Sequence, residues 1–323
     1  MKNLRSQALI RRGLSFLLSL WIASVVVFAL VNLLPGDMAA VILGSNATEE
    51  SINQLRELLG LNMPWPYRYL RWVADMCMGR FGVSAYTGEI LGPIIASKWM
   101  ITASLVSVAM VMAILIATPL GMASAMRRHR LDGVVISLGT QLGMTVPAFL
   151  VGIALSVIVG VKWRWLPANE YVPFTQSIVE WGRHIILPAL TLALVQSAIL
   201  VRYIRSAFID ILHQDYYRTA RAVGWRRWPA LIRHGLRNAS VHIITIIGLQ
   251  LATLFVGAIV IESVFVLQGL GQYLLQVVAI RDLPVVQSIV MILVALVLAI
   301  NCAVDMVTLL LDPRLRVSNE QED

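Results

Sequence analysis

An all-α protein with six membrane-spanning helices is the fold class this sequence predicts, and three observations predict it. Of 323 residues, 58% are hydrophobic and 14% charged, against about 45–50% apolar residues in soluble domains. The apolar residues are gathered into six runs, at 13–34, 100–126, 133–161, 184–208, 239–266 and 284–311. Each reaches the ~20 residues needed to cross a ~30 Å hydrocarbon core, where a segment must satisfy its own backbone groups and therefore coils into a helix. The third observation is where the charge falls. Six crossings put both termini on one side, and the segments of that side (1–12, 127–132, 202–238 and 312–323) hold 17 of the 26 Lys and Arg. The longer opposite segments (32–98, 162–183 and 267–283) hold nine. By the positive-inside bias the first set is cytoplasmic.

The N-terminal segment 1–12 carries Lys2, Arg5, Arg11 and Arg12 ahead of the first run, as a signal peptide does. The run at 13–34 exceeds the 7–15 residues of a signal-peptide core, and Leu33-Leu-Pro-Gly-Asp37 is no small-residue cleavage site. It is expected to be an uncleaved first span. The segment 35–99 that follows is the largest piece outside the membrane. Within it, 48–59 reads as a short helix with Thr48 at the N-cap and Ile52, Leu55, Leu58 and Leu59 at helical spacing before Gly60. Trp65, Tyr67, Tyr69, Trp72 and Trp99 suit a segment resting on the outer interface.

The third run contains Gly143, Pro147 and Gly152, and the fourth begins Ile185-Ile-Leu-Pro188. Proline within a membrane helix frees backbone groups that neighbours or water must satisfy. That is a packing kink or a cavity lining. Pro188, near a helix start, takes the first reading, and Gly143 and Pro147 take the second. Glu262 and Asp305 are the acids inside or bordering spans. A carboxylate at a bilayer centre costs ~2.5–3.5 kcal/mol on insertion scales. Both lie toward the ends of their runs, so structural pairing is the reading for each. A proton-coupled carrier is the rival function, and these two acids are its only support.

Between the fourth and fifth runs lies the polar loop 209–238, with Asp215-Tyr-Tyr-Arg-Thr-Ala-Arg-Ala-Val-Gly224 and then Trp225-Arg-Arg-Trp-Pro-Ala-Leu-Ile-Arg-His234-Gly-Leu-Arg-Asn238. Asp215 is expected to cap a short helix and Gly224 to end it in the left-handed conformation. Arg218, Arg221, Arg226, Arg227, Arg233 and Arg237 spread charge around the axis, which suits protein contact better than a lipid surface.

Enzymatic and nucleic-acid readings are disfavoured by the sequence. The five His, at 129, 184, 213, 234 and 242, form no His-Glu-x-x-His set, and no Gly-x-Ser-x-Gly elbow or Gly-x-x-x-x-Gly-Lys-Ser/Thr phosphate loop occurs. The two cysteines, Cys77 and Cys302, make no metal or disulfide framework. A net charge of +8 points to nucleic acid only when the basic residues share a soluble face. Here they flank apolar spans, and membrane lipid is the surrounding partner.

The loop is similar to the cytoplasmic Glu-Ala-Ala loop of ABC-importer permeases. Arg218, Thr219 and Ala220 stand six to four residues before Gly224, at the Glu-Ala-Ala positions, and His234 and Leu236 take the later apolar and Leu positions. Glu, the first Ala, the apolar residue and the final Pro of that pattern are replaced. The variant Asp-Tyr-x-Arg-Thr-Ala-Arg-Ala-x-Gly, followed by Arg-His-x-Leu-Arg-Asn-Ala, resembles the dipeptide, oligopeptide and nickel branch. So do Leu34-Pro-Gly-Asp37, Gly79-Arg-Phe-Gly-Val-Ser84, Glu262-Ser-Val-Phe265, Gly269-Leu-Gly271, Arg281-Asp-Leu-Pro-Val-Val-Gln287 and Leu311-Asp-Pro-Arg314. Gln268 stands where the branch has Pro. The resemblance implies a type I ABC-importer permease fold and a non-catalytic subunit for peptides, with glutathione-like peptides or nickel chelates as alternatives. It implies a second permease, two cytoplasmic ATPase subunits that bind ATP and magnesium, and an extracytoplasmic binding protein. No cofactor is expected in this chain. The residues Asp215, Tyr216, Tyr217, Arg218, Thr219, Ala220, Arg221, Ala222 and Gly224 would dock the ATPase.

Overall fold

The computed structural model describes residues 2–33, 39, 43, 47–58, 60 and 62–311. The motif at 34–37 and the segment 312–323 lie outside the described residues. All named elements among the described residues are helices, and five of them are long and apolar enough to cross a membrane. The chain divides into two compact units, residues 1–100 with 269–299, and residues 101–268 with 300–323.

In the first unit, α1 (Lys2–Leu33) carries the apolar stretch Ile10–Leu33. Thr48 caps α2 (Glu49–Leu58), its hydroxyl oxygen accepting from the Ser51 N–H at 3.3 Å. The aromatic stretch beyond it forms a helix, α3 (Trp65–Cys77), with Pro64 at the N-cap and Pro66 in the first turn, where a missing N–H costs nothing. Trp65, Tyr69 and Trp72 recur at i, i+4 and i+7 and surround Phe28 of α1 at ring distances of 6.0, 5.4 and 5.8 Å. Ser24 and Tyr69 share a hydrogen bond of 2.8 Å, and Arg68 donates to Asn32 Oδ1 at 2.7 Å. The start of α4 (Leu91–Met126), α11 (Leu270–Ala279) and the start of α12 (Leu283–Leu311) bury Leu91, Ile95, Leu270, Val277, Val285 and Ile289 together.

A buried carboxylate ties distant motifs together inside that unit. Asp282 is 1% exposed and accepts from Ser84 Oγ at 2.5 Å and from the Ala85 N–H at 3.3 Å. Ser84 Oγ in turn accepts from the N–H groups of Tyr86 and Thr87 at 3.2 and 3.0 Å, and Ser288 donates to the Phe81 carbonyl at 2.7 Å. The loop at 80–90 is thereby fixed to the start of α12.

In the second unit, α7 (Ile178–Leu212) is the central helix. It buries Ile185, Leu192, Leu200, Ile204 and Phe208 and packs against α5 (Leu131–Thr145), α6 (Ala148–Leu155) and α10 (Leu236–Val264). Pro188 is corrected by this: it is the eleventh residue of α7, inside the helix and buried, because the helix begins at Ile178, six residues before the apolar run at 184–208. The continuous span expected at 133–161 is also corrected. Two helices meet there at 97°, α5 and then α6 continued by a π-helical stretch, Ser156–Lys162. Pro147 has no N–H to donate, and the residue before it is driven out of the α region. Val146 accordingly has φ −81° and ψ 121°. Each arm has 15 residues, about 22 Å at 1.5 Å per residue, short of a ~30 Å core. Among the described residues there are thus five full-length spans, or six where this bent pair is counted as one.

Candidate functional site

The loop between α7 and α10 folds into α8 (Asp215–Ala222), α9 (Arg227–Ala230) and a π-helical turn, Leu231–Gly235. Gln214, with φ −77° and ψ 145°, stands at the N-cap, and its carbonyl accepts from the N–H groups of Tyr217 and Arg218 at 3.1 and 3.2 Å. Asp215 is therefore not the cap that its residue type suggests. It is the first helical residue, where its charge faces the positive end of the helix dipole and its carbonyl accepts from Thr219 Oγ1 at 2.9 Å. Asp215→Ala should then weaken α8 by only about 0.3–1 kcal/mol, so the abundance of the inserted protein should stay close to normal. A large loss of inserted protein would contradict this placement.

The other end of α8 is closed by two hydrogen bonds. The Trp225 N–H reaches the Ala220 carbonyl at 3.1 Å and the Gly224 N–H reaches the Arg221 carbonyl at 3.2 Å, with Gly224 at φ +98°. This is the Schellman closure, which satisfies two otherwise orphaned carbonyls and requires a residue that tolerates positive φ. The Arg221 guanidinium donates to the Trp225 carbonyl, and Arg233 lies over the Trp225 ring at 5.6 Å. The turn after α8 is thus held by two of its own arginines.

One face of α8 is anchored and the rest is presented. Tyr217 and Ala220, three apart, are buried, as are Ala230, Leu231 and Gly235 behind them. A Cβ on Gly235 would stand 3.1 Å from Ile211 Cγ2 and 3.2 Å from Leu231 Cδ1, so glycine there permits the close approach to α7. Tyr216, Arg218, Thr219, Arg221, Ala222 and Val223 are exposed, Val223 at 75%. His234 lies in the π-helical turn and Leu236 begins α10, while their side chains are outside the description. The sequence reading missed Gly235, which carries no distinguishing signal beside its charged neighbours.

The remaining candidates separate in the structure. Gly143 sits on α5 with Ala198 Cβ only 3.1 Å from where its Cβ would be, and Pro147 is exposed at the break. Glu262 is fully buried and accepts from Thr102 Oγ1 at 2.5 Å, while its carbonyl accepts from the Leu267 N–H at 2.8 Å. Asp305 is exposed on α12, next to Val304, which packs on Gly248. Gly248 and Glu262 are fourteen residues apart on α10, about 21 Å. The two acids therefore form no relay with each other. A polar cluster inside the spans had gone unnoticed in the sequence. Gln196, buried on α7, donates to Gln250 Oε1 on α10 at 2.8 Å, and Thr253 donates to the same atom at 3.0 Å. An amide isolated in each apolar run is the signal that could have found it.

Comparison with known proteins agrees with this architecture. Residues 117–317 match the family described as the binding-protein-dependent transport system inner membrane component, and residues 5–120 match its N-terminal companion. A probable peptide ABC transporter permease of Sinorhizobium fredii is 33% identical over 308 residues, covering 95% of this chain and 98% of that one. A putative peptide transport system permease of Brucella abortus is 37% identical, covering 91% and 94%. The glutathione transport system permease of Escherichia coli K12 is 35% identical, covering 95% and 98%. This chain belongs to the inner membrane component family of binding-protein-dependent transport systems, the ABC-importer permeases.

Proposed function

We propose that this chain is one permease subunit of an ATP-driven importer of short peptides, delivered by an extracytoplasmic binding protein and carried through a pathway formed with a second permease. The observation that supports the coupling role is α8. It is anchored by Tyr217 and Ala220, closed at Gly224, and presents a polar face on which a partner ATPase can push. A rigid lever of this kind transmits closure of two ATPase subunits into the spans, and their binding free energy biases the pathway between its two states. ATP and magnesium belong to those subunits, and this chain performs no catalysis. Substrate class follows the relatives named for peptide and glutathione transport. Glutathione itself, or a nickel chelate, is the alternative cargo of the same machine.

Both termini and the 209–238 loop face the cytoplasm in this reading. In a background without Cys77 and Cys302, a membrane-impermeant thiol reagent added to intact cells should modify Glu170→Cys and spare Arg128→Cys. Modification of both would refute the orientation. Buried pairing of Glu262 with Thr102 and the separation of Glu262 from Asp305 disfavour a proton-coupled carrier. The experiment that decides is uptake by the complete complex carrying Glu262→Gln and Asp305→Asn, which should still depend on ATP.

A further inference from the structure

The first unit contains a cleft of about 280 Å³ between α3, the loop at 80–82 and the start of α12. Its polar lining is almost all hydrogen-bond donors. Arg68, Arg71 and Arg80 contribute three guanidiniums, against the single carboxylate of Asp75. Neither Arg71 nor Arg80 has a side-chain hydrogen bond or ion-pair partner among the described residues. Two residues of the lining also carry buried donors. The amide nitrogen of Gln287, a residue only 9% exposed, and the indole N–H of Trp72 are buried and unpartnered among the described residues. Three guanidiniums against one carboxylate fit an oxyanion. Burial of Arg68 lowers its pKa, which an anion alongside would oppose.

The cleft also has a depth. Phe28 lines it from α1, five residues before the helix ends at Leu33, about 7–8 Å inside that end. Trp65 and Tyr67 on α3 are exposed beside it, as aromatic side chains are at the lipid headgroup level. We propose that this cleft binds the phosphate of an anionic phospholipid headgroup, with Arg71 and Arg80 as the charge-bearing donors. A free phosphate ion offers the same oxyanion, and the experiment separates the two sources.

The full-length chain in detergent would be examined by native mass spectrometry with phosphatidylglycerol and phosphatidylcholine in equal amounts, and separately with inorganic phosphate alone. Phosphatidylglycerol should be retained in preference. Arg71→Gln with Arg80→Gln, which spares the Arg68 to Asn32 bond, should reduce that retention about tenfold or more, the loss expected for removing charge-assisted hydrogen bonds. Arg56→Gln, which removes a charge of the same outer segment outside the cleft, should leave it unchanged. Should the double variant fail to fold, each single substitution carries the same comparison. Retention unaffected by these substitutions, or equal retention of both lipids, would overturn the proposal. Binding of inorganic phosphate in the lipid-free sample, lost in the same variants, would overturn the lipid source in favour of a soluble anion.

Discussion

Gly224→Val is expected to abolish substrate uptake while leaving the protein inserted in the membrane at normal abundance. Nothing lies within 4 Å of the Cβ that valine would add, so the effect is conformational. At φ +98° a side chain costs about 1–2 kcal/mol, and a β-branched residue is worse accommodated still. Relief of that strain undoes the two hydrogen bonds from Trp225 and Gly224 that close α8. The exposed face from Tyr216 to Val223 then loses its fixed direction, and with it the rigid contact that the proposed coupling requires. Gly224→Ala should fall between the two. Uptake measured beside membrane abundance checks the pair, and normal uptake by the valine variant would remove this turn from the mechanism.

Gly248→Leu should instead remove the folded protein. A Cβ at Gly248 would stand 1.9 Å from Val304 Cγ2 and 2.9 Å from its Cβ, a distance at which α10 and α12 must separate. The branched Val304 has no flexible end to swing away, and overpacking of a filled interior typically costs about 1–3 kcal/mol or more. The amount of protein surviving detergent extraction and heating should fall sharply, and Gly248→Leu combined with Val304→Ala should recover part of it. Normal abundance of the single variant would mean that the helices do not touch there. Parting α10 from α12 also breaks the 3.0 Å hydrogen bond between Thr245 and Thr308.

The all-helical polytopic class was legible because apolar run length and backbone satisfaction in lipid leave few alternatives. The break at Val146 and Pro147 was not, since hydropathy continues across 133–161 while the backbone turns by 97°. Composition measures transfer into lipid and carries no information on ψ. At α8, Asp215 has the chemistry of a cap, but Gln214 takes the cap position because α7 ends at Leu212 and the chain restarts two residues later. Residue preference is a weaker constraint than where the preceding helix stops. The pairing of Ser84 with Asp282 spans 198 residues, and that of Gln196 with Gln250 joins two separate spans. Which residues pair is set by tertiary packing, although a lone amide in each of two apolar runs marks Gln196 and Gln250 as groups in need of a partner. Thr48 and Gly224 were easier, because both act through hydrogen bonds and dihedrals within one turn of chain.

In the proposed mechanism this chain moves its substrate by coupling to a partner ATPase through α8. The most direct test is uptake into vesicles holding the complete complex, with binding protein and a radiolabelled dipeptide outside and ATP trapped inside. Import should occur with ATP, cease when ATP is replaced by a non-hydrolysable analogue, and be indifferent to an imposed pH gradient. Uptake by this chain alone, driven by a pH gradient and lost in Glu262→Gln with Asp305→Asn, would contradict the account.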